Sequence, residues 1–109
     1  MAEPYLTRLQ DLIASCGPNL PGNGEIVCRH FFSGAAAYCG GVMFMSLSPA
    51  GLALKLPERE RTALLAEGGK PLRYFPNAPV KRDYVVLPAA VSDDVGKLEP
   101  YMQKSLSGL

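Results

Sequence analysis

Ala35-Ala36-Ala37-Tyr38-Cys39-Gly40-Gly41-Val42-Met43-Phe44-Met45-Ser46-Leu47 is the stretch whose reading decides the fold. Two apolar runs meet at a pair of glycines, and glycine takes positive φ without steric cost. A two-residue link with positive φ matches the twist of a β-hairpin, so the stretch predicts antiparallel strands over residues 35–39 and 42–47. Ser48-Pro49-Ala50-Gly51 then reads as a second turn. Leu52-Ala53-Leu54-Lys55-Leu56 follows as a third strand, with its leucines on one face. The result is a three-stranded meander.

Upstream, Leu6, Leu9, Leu12, Ile13 and Cys16 recur at steps of three and four, which predicts a helix from about Pro4 to Ser15. Gly17-Pro18 is a suitable helix stop, and residues 19–24 read as a loop. Downstream, Pro57, the early acids Glu58 and Glu60, and Gly68-Gly69 bracket a short helix over residues 57–67 whose narrow apolar face is Leu64 and Leu65 with Ala63. Residues 72–75 and 84–87, bounded by prolines, read as two more short strands. Ser92 offers an N-cap for a last helix carrying Val95, Leu98, Tyr101, Met102 and Leu106, which is expected to kink or restart at Pro100. The order α-β-β-β-α-β-β-α predicts an α+β domain with helices packed on a mainly antiparallel five-stranded sheet.

Composition narrows the functions. The chain has 109 residues, is 48% apolar and has a formal net charge of +1, which fits one domain with no overall field for a polyanion. Nucleic acid is therefore not an expected partner. No run is long and apolar enough for a spanning helix, and the start lacks the basic residues and apolar core of a signal peptide, so no membrane role is expected and the cytoplasm is the expected location. The charge is unevenly spread: residues 29–56 carry only Arg29 and Lys55 and no acid. Val42 to Leu47 lies inside this dry segment, and its nearly unbroken apolar run implies cover on both faces, supplied either by the sheet curling over a central strand or by a partner such as a second copy of the chain. A homodimer through residues 35–47 is the resulting expectation.

Three cysteines, Cys16, Cys28 and Cys39, are spaced 12 and 11 apart without a Cys-x-x-Cys pair, which points to packed thiols and not to a disulfide framework or a zinc finger. Cys28 and His30 fall on one side of an extended segment, and Cys39 can meet them from a neighbouring strand. A metal site would need a fourth ligand and a Cys-His catalyst a group to orient the base; the sequence offers neither, so no catalytic residue, metal or cofactor is assigned. Lys70, Arg73, Lys81 and Arg82 surround Tyr74 and Phe75, so the 70–84 hairpins are the place for an alternative small-ligand or nucleic-acid site. A solvated hairpin tip explains the same charges.

Arg29-His30-Phe31-Phe32-Ser33-Gly34, Tyr38, Gly41-Val42-Met43-Phe44, Leu52-Ala53-Leu54-Lys55 and Tyr84-Val85-Val86-Leu87-Pro88 together resemble the N-terminal domain of the TfoX (Sxy) family. The resemblance runs from about Arg29 to Leu109, and residues 1–109 read as a single domain of this kind. Where the family carries Met-Phe-Gly-Gly, this sequence has Phe31-Phe32-Ser33-Gly34 and keeps the last glycine. The resemblance implies a secretion-chaperone-like fold and a non-enzymatic regulatory role, linked to transcription and competence and exercised through a protein partner. It supplies no catalytic residues. Arg29, Phe32, Tyr38, Met43 and Met45 are the residues placed at the expected interaction surface.

Overall fold

A computed structural model describes residues 3–16, 26–31, 34–73 and 77–108. The chain begins with helix α1 (Glu3–Cys16) and then lays down four strands: β1 (Ile26–Phe31), β2 (Gly34–Cys39), β3 (Val42–Ser48) and β4 (Gly51–Lys55). Helix α2 (Glu58–Ala66) follows, then β5 (Lys70–Pro71), β6 (Tyr84–Val86), α3 (Ala89–Ser92) and α4 (Val95–Ser107). The strands form one six-stranded sheet in the order β1-β2-β3-β4-β6-β5, with antiparallel neighbours throughout. All four helices pack on one face: Leu9, Leu64, Val91, Leu98, Met102 and Leu106 join Ala37, Phe44, Met45, Leu54 and Val85 in a single core. On the opposite face Ala53, Leu72 and Val86 make a second, small cluster.

The α+β class and the mainly antiparallel sheet agree with expectation, and the strand count becomes six. The added strand is β1, which pairs with β2 from Ile26↔Cys39 to Phe31↔Gly34. It lies at the sheet edge, so Arg29 and His30 are both exposed and the alternation that marks a half-buried strand is blurred. The expected strand over residues 72–75 shifts to Lys70–Pro71. Leu72 lies just past it, fully buried, and residues 74–76 fall outside the described residues. The predicted stop at Gly17-Pro18 and the loop over 19–24 also lie outside them.

The hairpin glycines behave as the sequence requires, with φ of 60° at Gly40 and 83° at Gly41. The dry strand beyond them has an internal explanation. A register shift between Ala37 and Tyr38 pairs Ala37 with Met45 and Tyr38 with Met43, leaving Phe44 as the extra residue of a β-bulge. Phe44 and Met45, adjacent in sequence, therefore both enter the helix-side core and both are fully buried. From Phe44 to Ser48 the strand is thus buried within its own chain, whereas Val42 is exposed and Met43 partly so. Ala35, Ala36 and Ala37 are likewise buried within their own chain.

The bulge and the end of the β3–β4 ladder, which runs only from Ser48↔Gly51 to Met45↔Leu54, leave the carbonyls of Met43 and Phe44 without a β4 partner. Two side chains satisfy them from opposite faces: Tyr84 donates its hydroxyl to the Met43 carbonyl at 2.7 Å, and Ser105 of α4 donates to the Phe44 carbonyl at 3.3 Å. Only the second site is fully buried. Ser105→Ala should therefore cost about 1–2 kcal/mol in a urea melt, and Tyr84→Phe less, because water can reach the Met43 carbonyl.

At the C-terminus the expected Ser92 cap gives way to two helices. Pro88 starts a turn early, α3 ends at Ser92, and Asp94 caps α4 by accepting from the Gly96 and Lys97 amides at 2.9 and 3.4 Å. Pro100 lies inside α4, which continues through it. Leu98, Met102 and Leu106, all buried, anchor the helix on both sides of the proline and outweigh its cost. The α2 face is narrower than its sequence suggests: Leu64 is buried, whereas Ala63 and Leu65 are exposed.

Candidate functional site

The site is built by strand register. On the face opposite the helices, Val27 of β1 stands across from Tyr38 of β2, and Tyr38 stands across from Met43 of β3. On the same side, Lys55 of β4 pairs with Tyr84 of β6. These five residues form a row across the hairpin end of the sheet, and each is only partly buried. One strand position further along, Ala36, Ser46, Ala53 and Val86 are buried, so the row marks where the face opens to solvent.

Arg29 lies two residues from Val27 on the same face and is exposed. With Val27, Tyr38 and Gly41 it lines a hollow of about 400 Å³. Gly41 has open space where a side chain would begin, which keeps the mouth of the hollow wide. The hollow joins one fixed cation, an aromatic ring, an aliphatic side chain and bare backbone, a combination suited to binding, and among the described residues its lining includes no carboxylate or thiol.

The expected interaction residues divide. Arg29, Tyr38 and Met43 come together at this face. Met45 does not: the bulge turns it into the helix-side core at zero exposure, so it is a packing residue. Phe32 lies outside the described residues. Val27, Lys55 and Tyr84 join the site through cross-strand pairing alone, a signal present only once the register is known.

Lys70, Arg73, Lys81 and Arg82 are exposed. The Lys81 amide bonds the Leu72 carbonyl at 3.0 Å and folds the loop back on itself. Arg73 Nη1 donates to the Ala78 carbonyl at 3.3 Å, and Arg61 Nη1 donates to the carbonyl of Arg82. One of the four cations thus braces its own loop, and Tyr74 and Phe75, which would supply the stacking, lie outside the described residues. Of the alternating charges on α2, the half-buried Glu60 pairs with the exposed Lys104 of α4 at 3.5 Å.

Cys28 and His30 share the helix side of β1, and Cys39, paired with Ile26, is a diagonal neighbour of Cys28. Cys28 and Cys39 are free thiols packed against the core. Burial pushes the Cys28 thiol above its ordinary range, the reverse of what a nucleophile needs. Iodoacetamide at mildly alkaline pH should therefore modify Cys28 several-fold more slowly in the folded chain than in urea, as read by mass spectrometry of digested protein. Because the folded state holds that proton more tightly, its contribution to stability is complete below the ordinary thiol pKa and is lost as pH rises through the folded value. Among the described residues no group of three His, Cys, Asp or Glu side chains is placed to hold a metal, and no helix is long and apolar enough to cross a membrane.

Four helices on one face of an open antiparallel sheet, with a partly exposed row on the other, define an α+β domain whose distinctive surface is that row at the hairpin end of the sheet. The family model for the TfoX N-terminal domain matches residues 19–109, and the chain belongs to that family. No curated protein matches it.

Proposed function

We propose that this chain is a non-catalytic regulatory domain of the cytoplasm that works by binding a protein partner through the sheet face around Arg29, Tyr38 and Met43. The observation that carries the reading is the hollow of about 400 Å³ beside Arg29 and Tyr38, on the face opposite the described helices. Aromatic residues, methionine and arginine are the side chains over-represented at protein interfaces, and here one of each is brought together from three adjacent strands. Membership of the TfoX N-terminal domain family supports a setting in the control of transcription or competence.

Photo-crosslinking tests the reading. A benzoylphenylalanine at position 38 should give a discrete protein adduct in the native cell, lost when Arg29→Glu is added. The same group at Arg59, exposed on α2, is the control. Equal labelling at both positions, or none at position 38, would refute the proposed surface.

A further inference from the structure

Resting on that reading, we propose that the partner presents an extended segment in which a carboxylate sits on Arg29 and the next apolar side chain lies over Tyr38 and Met43. The argument is one of charge. From Ile26 to Pro57, the stretch that builds β1 to β4, there is no aspartate or glutamate. Its two cations differ in their surroundings. Lys55 shares a hollow with Arg61, Glu58 and Asp83, two cations beside two acids, so its charge is locally balanced. Arg29 is exposed, and among the described residues no carboxylate pairs with it. An acidic group approaching the hollow from solvent thus meets a guanidinium and no competing acid from the four strands. Arginine suits this task, because its planar fork can give a carboxylate two parallel charge-assisted hydrogen bonds.

The same asymmetry orients the segment. Its acidic end belongs at Arg29, on the sheet edge, because at the far end Lys55 is already matched by the acids of its own hollow and offers no uncompensated cation. Between the ends lie Tyr38, Met43 and Tyr84, and the 2.7 Å bond from Tyr84 to the Met43 carbonyl holds the two sides of the row together. Methionine adapts its shape to varied apolar groups, so the floor fixes the class of the following side chain more than its identity.

The test is selection of random twelve-residue peptides on phage against the full immobilised chain, with the best sequences remade as fluorescein-labelled peptides for anisotropy. Enriched peptides should carry an Asp or Glu next to an apolar residue. Binding should weaken at least tenfold with Arg29→Glu and with Tyr38→Ala, and a peptide with Lys in place of its acid should recover affinity for the Arg29→Glu variant. That charge swap is a readout that loss of folding cannot mimic, and Arg29→Gln, with circular dichroism on every variant, provides a milder second probe. Peptides that lack an acid yet still depend on Tyr38 would overturn the acidic segment while leaving the protein-binding reading intact. Selection of no Tyr38-dependent peptide would overturn both. Salt-sensitive binding of a labelled twelve-nucleotide single strand through Arg29, in place of peptides, would overturn both in favour of nucleic acid.

Discussion

Met45→Lys should destroy the folded state. Met45 has no exposed surface and packs between Ala37 of β2 and Leu54 of β4, its partners in the ladder. A lysine there must bury an ammonium or lose its proton, and the strands around it offer no carboxylate as a partner, since none occurs from Ile26 to Pro57. An uncompensated buried charge costs about 3–5 kcal/mol, a large part of what holds a domain of this size together. Far-UV circular dichroism should show the loss at 25 °C, or a urea midpoint that approaches zero. Met43→Lys is the contrasting case. Two positions earlier, on the other face and partly exposed, it lets the long side chain carry its charge to water, and the melt should shift by only a few degrees. If Met45→Lys stayed folded while Met43→Lys did not, the register of the bulge would be wrong.

That pair of methionines shows where sequence reading stops. The hairpin was legible because Gly40-Gly41 leaves few alternatives, and α1 because its apolar stripe repeats over four turns. Alternation assumes one residue per strand position, however, and a bulge inserts one more. Val42 to Leu47 therefore reads as a strand with two apolar faces when it has one, and alternation places Met45 at a surface when it is in the core. The edge strand β1 escaped for a related reason, because its exposure is nearly uniform from Ile26 to Phe31 and carries no strong period. In α4, local propensity at Pro100 was outweighed by tertiary packing at Leu98, Met102 and Leu106.

The candidate site was legible in part. Arg29, Tyr38 and Met43 could be named from the sequence, because an isolated cation in a dry segment and an aromatic beside a hairpin are visible there. Their neighbours Val27, Lys55 and Tyr84 become neighbours only through pairings such as Val27↔Tyr38 and Lys55↔Tyr84, which span 11 and 29 positions of chain. No local pattern encodes such distances. The hollow beside Arg29 is thus a product of register, and a substitution that shifts β1 against β2 would remove it without touching any residue that lines it.

Gly34→Ala is the second change expected to have a large effect, and it acts through the position where that register is set. Gly34 opens β2 and pairs with Phe31, and it does not have positive φ, so a torsional need for glycine is not the reason it stands there. The reason is space. A Cβ built at Gly34 would lie 2.2 Å from the Leu47 carbonyl oxygen, 2.7 Å from the Ser48 Cα and 2.8 Å from the Ser48 Cβ. Two of these are backbone atoms, which no rotamer change can move aside. They are pinned from the other side by the Leu47↔Leu52 and Ser48↔Gly51 pairs of the next hairpin. Relief requires β2 and β3 to separate at this end, which strains the ladder that carries Ala35, Met45 and Leu54 into the core. A loss of about 3 kcal/mol or more is expected in a urea melt, at the upper end of the cost of overpacking. Gly41→Ala tests the opposite cause: it has φ of 83° and no atom within 4 Å of the added carbon, so only torsional strain of about 1–2 kcal/mol applies. Equal costs at the two positions would mean that the sheet spreads easily at Gly34. A much larger cost at Gly34 would explain in physical terms why the sequence keeps this glycine after Phe31-Phe32-Ser33: the adjacent strand passes too close for any side chain.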